Sequence, residues 1–172
     1  MSAKIRILFV CLGNIVRSPL AENMFRHLTI QAGVGEVYEV ASAGTGDWHV
    51  GDSPDGRMRR VAAERGLVYD GRARQFSPKD FDHFDWIVAM DRDNRAHLFA
   101  QARSPIDKNK IHLMREFDPV NASMGRPQMD VPDPYYGGLQ GFEEVYDIVE
   151  RSCRGLFEEL QRRGGVLEGR AL

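Results

Sequence analysis

Apolar residues recur along the chain in two rhythms. Residues 5–10 form an almost unbroken apolar run, interrupted only by Arg6, as a strand buried on both faces of a parallel sheet reads. Leu20, Ala21, Met24, Phe25 and Leu28 then recur at helical spacing and predict an amphipathic helix over 20–30, ended by Gly33 and Gly35. The alternation continues. Residues 37–41 predict a second strand, with Val37, Glu39 and Ala41 on one face, and Ser42-Ala43-Gly44-Thr45-Gly46 the turn after it. Met58, Val61 and Ala62 mark a short helix before Gly66. Residues 86–90 predict a third strand ending at Asp91, 93–102 a helix, and 111–114 a shorter fourth strand. Residues 119–134, rich in Pro, Gly and Asp, predict an irregular loop. Phe142, Val145, Val149, Leu156 and Leu160 share one face of a last helix over 142–161, which Gly164-Gly165 is expected to end. About eight residues then remain as a flexible tail.

Three Ser-Pro pairs, Ser18-Pro19, Ser53-Pro54 and Ser77-Pro78, are expected helix openings. Serine is a good N-cap and proline suits the first helical position. Asp80 follows Ser77 at the spacing of a capping box. Strands alternating with helices predict an α/β fold of three layers, a parallel sheet with helices on both faces, in a single domain over 1–172. In such sheets ligands bind beyond the C-terminal ends of the strands. Cys11, Ser42 and Asp91 fall at those ends.

Composition narrows the partners. A net charge of −2 carries none of the basic bias of nucleic-acid binding. With only Cys11 and Cys153, far apart, a disulfide framework is disfavoured and a reducing cytoplasm is the expected setting. The first apolar run is too short for a signal peptide, and Leu8, Phe9 and Val10 are too large for a lipoprotein site before Cys11. No stretch has the length of a membrane span. None of the five histidines has metal-ligand spacing, and neither a G-x-G-x-x-G nor a Walker loop points to a nucleotide cofactor. Met24, Met58, Met90 and Met114 read as core filling, and Cys153 as a buried hydrophobe.

The chemistry concentrates between the first strand and the first helix. Cys11 and Arg17 frame the loop Leu12-Gly13-Asn14-Ile15-Val16, a size that can wrap one phosphate with its N–H groups inward. Arg17 supplies a planar fork for two phosphoryl oxygens. The helix dipole and the Arg17 charge favour the thiolate of Cys11, and a hydroxyl at Ser18 can donate to the same sulfur. Gly13 and Asn14 tolerate left-handed backbone. The Cys–Arg spacing alone also fits a small buried cysteine; the strand–loop–helix context, Gly13, Asn14 and Ser18-Pro19 favour a catalytic one. A phosphate ester also needs a proton for its leaving oxygen. Asp133, in Asp133-Pro134-Tyr135-Tyr136, is one candidate, with Tyr135 and Tyr136 as pocket walls; Asp118 and Asp130 are rivals by composition. Trp48 and His49 read equally as pocket rim or as a buried plug.

Taken together, Val10 to Pro19, Ser42-Ala43-Gly44-Thr45, Trp48-His49-Val50-Gly51, Ala73-Arg74-Gln75, Met90-Asp91 and Asp133-Pro134-Tyr135-Tyr136 resemble, in order, the low-molecular-weight protein tyrosine phosphatases. The resemblance implies a four-stranded parallel sheet with a phosphate-binding loop after the first strand. It also implies phosphotyrosine hydrolysis in two steps, without metal or cofactor. Cys11 would form a phosphocysteine, Arg17 and the loop amides would hold the phosphoryl oxygens, and Asp133 would serve as acid and then base. Asn14 would hold the loop's backbone, Ser18 would stabilise the thiolate, and Ser42 would join the same network. Leu12, Ile15, Trp48, His49, Tyr135 and Tyr136 would shape the substrate pocket. The implied partners are phosphotyrosine proteins or peptides and a cognate tyrosine kinase, with no membrane or nucleic acid, for a monomer or weak homodimer.

Two positions depart from the family's pattern. Val16 stands where members often carry a second cysteine, so peroxide is expected to over-oxidise Cys11 without rescue by a local disulfide. Gly71 stands where many carry a histidine that supports the loop asparagine, so Asn14 is expected to be less firmly held. The rival activities are a thiol-dependent arsenate reductase, a phosphopeptide-binding module without catalysis, and a phosphoarginine phosphatase. The first needs more thiols than Cys153 offers.

Overall fold

The computed structural model describes residues 3–170, with side chains through 164. Four strands, β1 (Ile5–Cys11), β2 (Tyr38–Gly44), β3 (Trp86–Ala89) and β4 (Ile111–Leu113), form one sheet in the order β2-β1-β3-β4. All neighbouring pairs are parallel. The chain moves from β1 to β2 on one side, then crosses back to place β3 on the other. The switch point therefore lies at the C-terminal ends of β1 and β3, where parallel sheets of this kind open a crevice. Cys11 ends β1, and Asp91 lies just past β3.

Seven helices are described: α1 (Arg17–Gln31), α2 (Gly56–Glu64), α3 (Asp80–His83), α4 (Arg92–Gln101), α5 (Pro105–Asn109), α6 (Pro119–Ala122) and α7 (Leu139–Arg170). Short 3-10 turns occupy Gly35–Val37 and Met114–Phe117. Alternation in β1 divides the core. Ile7 and Phe9 face α1, α2 and α7, where Phe25, Leu28, Met58, Val61, Phe142, Val149 and Leu156 are buried. Leu8 and Val10 face the other side, against Phe81 of α3 and Leu98 of α4. Each such side chain contributes about 1.5–3 kcal/mol of burial. All four methionines expected in the core are buried, as is Cys153.

The boundaries differ from expectation in instructive ways. β2 runs on through Ser42-Ala43-Gly44, read from sequence as a turn, because each residue pairs with β1 up to the register Cys11↔Gly44. Val37 falls outside β2, in a 3-10 turn. α1 begins at Arg17, so Ser18 lies inside the first turn and caps nothing. Asp55, not Ser53, caps α2 by accepting from the Arg57 N–H. At the third pair only the reciprocal half of the box forms, with Asp80 accepting from the Ser77 N–H at 2.9 Å. A fourth Ser-Pro pair, Ser104-Pro105, opens α5, which the sequence reading missed. The helix-breaking composition of 119–134 still admits α6, capped by Asp118. α7 begins at Leu139 and runs through Gly164-Gly165 to Arg170, so the two glycines do not end it. Each glycine costs a helix only about 1 kcal/mol against alanine. Of the expected tail, residues 171–172 lie outside the described residues.

Candidate active site

Between Cys11 and α1 the chain makes a tight loop in which the carbonyls of Cys11, Leu12, Ile15 and Val16 are tied to the surrounding protein. The Cys11 carbonyl accepts from Thr45 N–H at 2.8 Å, that of Leu12 from Gly46 N–H at 2.9 Å, and that of Ile15 from Asp55 N–H at 2.7 Å. The buried Tyr69 hydroxyl donates to the carbonyls of Ile15 and Val16 at 3.2 and 3.0 Å. Burial, with the nearby Cys11 charge, pushes the Tyr69 phenol well above its ordinary pKa, so it stays a donor. With these carbonyls held, the N–H groups of Gly13, Ile15 and Val16 have no partner among the described residues. Together with the N-terminus of α1 they make the concave ring of donors that receives an anion. Gly44 lets the sheet approach this closely: a Cβ there would lie 2.8 Å from the Leu12 carbonyl oxygen.

Asn14 holds the loop's one left-handed turn, at φ 56°. Its Oδ1 accepts from the Arg74 N–H at 3.0 Å, and its Nδ2 donates to Ser18 Oγ at 2.8 Å and Ser42 Oγ at 2.9 Å. Ser42 in turn donates to Glu22 at 2.9 Å. The weaker support expected from Gly71 is not what the loop shows, because both polar ends of Asn14 are bonded without it. Gly71 itself sits at φ 139°, where a side chain would be strained.

The Cys11 sulfur lies 3.0 Å from Ser18 Oγ and 3.3 Å from the Asn14 N–H. Ser18 has one proton. It can go to the sulfur, stabilising a thiolate, or to the Ala43 carbonyl at 3.3 Å when the sulfur keeps its own. Cys153 is remote from this chemistry: burial pushes its thiol well above the ordinary range.

Arg17 is 2% exposed. Its Nη1 donates to Asp91 at 2.7 Å and to the Val131 carbonyl at 2.9 Å. Its Nη2 lies 3.6 Å from Asp133. Burial works against its charge, but Cys11, Asp91 and Asp133 outweigh that and leave the guanidinium's pKa above the usual value. The fork is thus aimed and charged before any ligand arrives.

Of the three candidate acids, only Asp133 reaches the cavity. Asp118 is fully buried and gripped by Arg151 at 3.1 Å through both oxygens. Asp130 pairs with Arg92 and caps its N–H. The Asp133 carboxylate is 43% exposed and accepts from the Tyr135 N–H at 3.1 Å. It stands beside Arg17 and open to solvent.

These groups line one cavity of about 340 Å³, with Cys11 and Arg17 among its lining, Asp133 at its side, and Leu12, Ile15, Trp48, His49, Tyr135 and Tyr136 as walls. Trp48 is 71% exposed and rests on Gly46, where any Cβ would overlap its ring, so it forms a rim and not a buried plug. His49 packs on Gly13 and bonds Asp52 at 3.1 Å. Tyr136 is 98% exposed and touches Tyr135 edge-on. The thiol, the arginine, Asp133 and the pocket residues singled out from the sequence meet here, Asn14, Ser18 and Ser42 form the hydrogen-bond network beside them, and Asp118 and Asp130 stay outside. Sequence reasoning missed the braces, Tyr69, Glu22, Asp55 and the Arg74 N–H, because each acts across a long stretch of chain.

The low molecular weight phosphotyrosine protein phosphatase family model matches residues 6–165. The chain is 43% identical to a low molecular weight protein-tyrosine-phosphatase of Streptomyces coelicolor, over 96% of this chain and 98% of that one. It superposes on a protein tyrosine phosphatase of Entamoeba histolytica with a TM-score of 0.86 at 39% identity, over 94% and 99% of the two chains. It also superposes on a Drosophila arginine phosphatase with a TM-score of 0.81 at 31% identity, over 91% and 98%. No helix among the described residues is long and apolar enough to cross a membrane. A thiol set at the mouth of a ring of inward amides, an ion-paired arginine beneath it and an agreement that extends over nearly the whole chain lead to one assignment: the chain belongs to the low molecular weight phosphotyrosine protein phosphatase family.

Proposed function

We propose that this chain hydrolyses phosphotyrosine, and small aryl phosphates, through a phosphocysteine at Cys11. The observation that carries the reading is the cavity that brings Cys11, Arg17 and Asp133 together within aromatic walls. The free loop amides and Arg17 bind the three non-bridging oxygens and favour the transition state, where their charge is spread. The Cys11 thiolate attacks phosphorus while the bond to the tyrosine oxygen breaks, and Asp133, protonated, delivers its proton to that oxygen. Asp133, now a carboxylate, takes a proton from water. The water oxygen attacks phosphorus, the P–S bond breaks, and inorganic phosphate and the Cys11 thiolate are released. Ser18 steadies the thiolate as attacking and leaving group. The exposure of Asp133 suits this double role, since the second step needs water at its side.

Tyr135, His49 and Trp48 present flat apolar faces to an aryl group, which favours phosphotyrosine over phosphoarginine. The single distant and buried Cys153 offers no thiol relay for arsenate reduction. The expected setting is the cytoplasm, as a monomer or weak homodimer opposing a tyrosine kinase. Hydrolysis of p-nitrophenyl phosphate without metal tests the reading. Wild type should turn it over, Cys11→Ser should show none above background, and Asp133→Ala, which loses the base of the second step, should fall in kcat by about a hundredfold. Undiminished hydrolysis by Cys11→Ser would overturn it.

A further inference from the structure

The backbone around Asp133, Val131-Pro132-Asp133-Pro134-Tyr135, is hydrogen-bonded to the body of the protein at two places; between them Pro132 and Asp133 are exposed, Pro134 is buried against Gly141, and the Asp133 carboxylate lies 3.6 Å from Arg17 Nη2. On the N-terminal side, the Val131 N–H donates to the Met90 carbonyl at 2.8 Å and its carbonyl accepts from Arg17 at 2.9 Å. On the C-terminal side, the Tyr135 carbonyl accepts from Arg57 Nη1 at 2.9 Å. Arg57 belongs to α2 and no part of it lines the cavity. Its remaining donors grip Asp55, Nε at 3.1 Å and Nη2 at 2.9 Å. Its guanidinium lies over the Phe142 ring at 4.6 Å and the Tyr135 ring at 5.3 Å. Asp55 is the residue whose N–H holds the Ile15 carbonyl of the phosphate loop.

We infer that Arg57 is a positioning residue for the proton donor: with Asp55 it locks the far end of the Asp133 segment to the same short stretch that braces the phosphate loop. The inference rests on Asp133 being that donor. Two prolines stiffen the span, so the placement of Asp133 is set by its two anchored ends together with its contact to Arg17. Freeing one end lets the carboxyl drift, and a small misplacement of a proton donor is enough to slow a reaction. The guanidinium is suited to the post because its planar fork can serve Asp55 and the Tyr135 carbonyl together, which an ammonium cannot match.

A structural brace and a positioning residue differ in what they do to leaving groups. A phenol needs its proton during departure, whereas p-nitrophenolate leaves readily without one. Arg57→Ala should therefore lower kcat/KM for phenyl phosphate about tenfold or more while p-nitrophenyl phosphate falls less than about threefold. Arg57→Lys, which keeps the charge and its donors on one nitrogen but loses the planar fork, should give a smaller split in the same direction, and it carries the test should the alanine variant not fold. Asp133→Ala is the reference and should split the two substrates most. Equal losses on both substrates in the Arg57 variants, or no loss, with Asp133→Ala still splitting them, would overturn the role of Arg57 alone. An Asp133→Ala variant that does not split them would overturn the donor assignment and this inference with it.

Discussion

The two segments that meet in the cavity are built in opposite ways. From Cys11 to Ser18 the phosphate loop is buried apart from Leu12 and Gly13, and the carbonyls of Cys11, Leu12, Ile15 and Val16, the Asn14 amide and the Ser18 hydroxyl have protein partners. From Val131 to Tyr136 the acid segment is hydrogen-bonded through its backbone at Val131 and Tyr135 and exposes Pro132, Asp133 and Tyr136 to solvent, with Val131 and Pro134 buried. The difference follows from what each must do in the proposed mechanism. A ring of donors lowers a barrier only if it is already aimed when charge develops, so rigidity and burial serve the phosphate loop. A group that first gives a proton to one oxygen and then takes one from water must meet solvent, so exposure serves Asp133. The cost of the first design is a left-handed Asn14, about 1–2 kcal/mol, offset by its three hydrogen bonds.

Changes to the buried segment should therefore cost both activity and stability, and changes to the open one mainly activity. Arg17→Lys tests the strongest form of this. Losing the fork should reduce kcat for p-nitrophenyl phosphate by about a thousandfold, measured at saturating substrate. It also strands Asp91, so the thermal midpoint should fall with it. Asn14→Ala removes three hydrogen bonds and leaves alanine in left-handed backbone, a loss of about 2 kcal/mol. Calorimetry should then show a midpoint lower by about 4–8 °C, alongside a reduced kcat. An unchanged midpoint would mean that the loop keeps its shape without Asn14. Tyr69→Phe removes one hydroxyl shared by two carbonyls and should cost about 1 kcal/mol, or about 2–4 °C.

The smallest effect belongs to the joint between the two segments. Burial alone would raise the Asp55 carboxyl, but its hydrogen bonds and charge contact with Arg57 outweigh burial and leave its pKa below the ordinary value. A lowered folded-state pKa means that the stabilisation is present above the unfolded value of about 3.9 and is lost as pH falls through the depressed one. Asp55→Asn should therefore melt a little below wild type at pH 7, by about 1–3 °C, with the gap closing below about pH 4. A gap that persists unchanged into acid would show that the carboxylate charge does not hold the joint.

The same contrast explains what was readable in the sequence. The phosphate loop is local: thiol, left-handed formers, arginine and hydroxyl lie within one short stretch, and their order alone implies an anion site. The apolar runs that set the sheet and the core are local too. What was not readable acts at a distance. Nothing near Tyr69 says that its hydroxyl will reach Ile15 and Val16, and nothing near Arg57 says that it will meet Tyr135. Ser18 was misread as a cap because a serine before proline commonly is one; here its oxygen serves Cys11 and Asn14, and the helix begins one residue earlier, at Arg17. The extent of β2 was hidden because Ser42-Ala43-Gly44 is turn-like in composition and is held in the strand by its pairing with β1. Ser104-Pro105, in contrast, carries the local signal of a fourth helix opening, with Ser104 accepting from the Asp107 N–H.

The central claim, a covalent phosphoryl group on Cys11, can be met directly. Wild-type protein mixed with p-nitrophenyl phosphate, quenched in acid during turnover and digested, should yield the peptide containing Cys11 with the added mass of one phosphoryl group. Asp133→Ala, whose second step lacks its base, should accumulate more of that peptide. A phosphoryl group found on another side chain, or turnover with no phosphorylated peptide in either protein, would contradict the account.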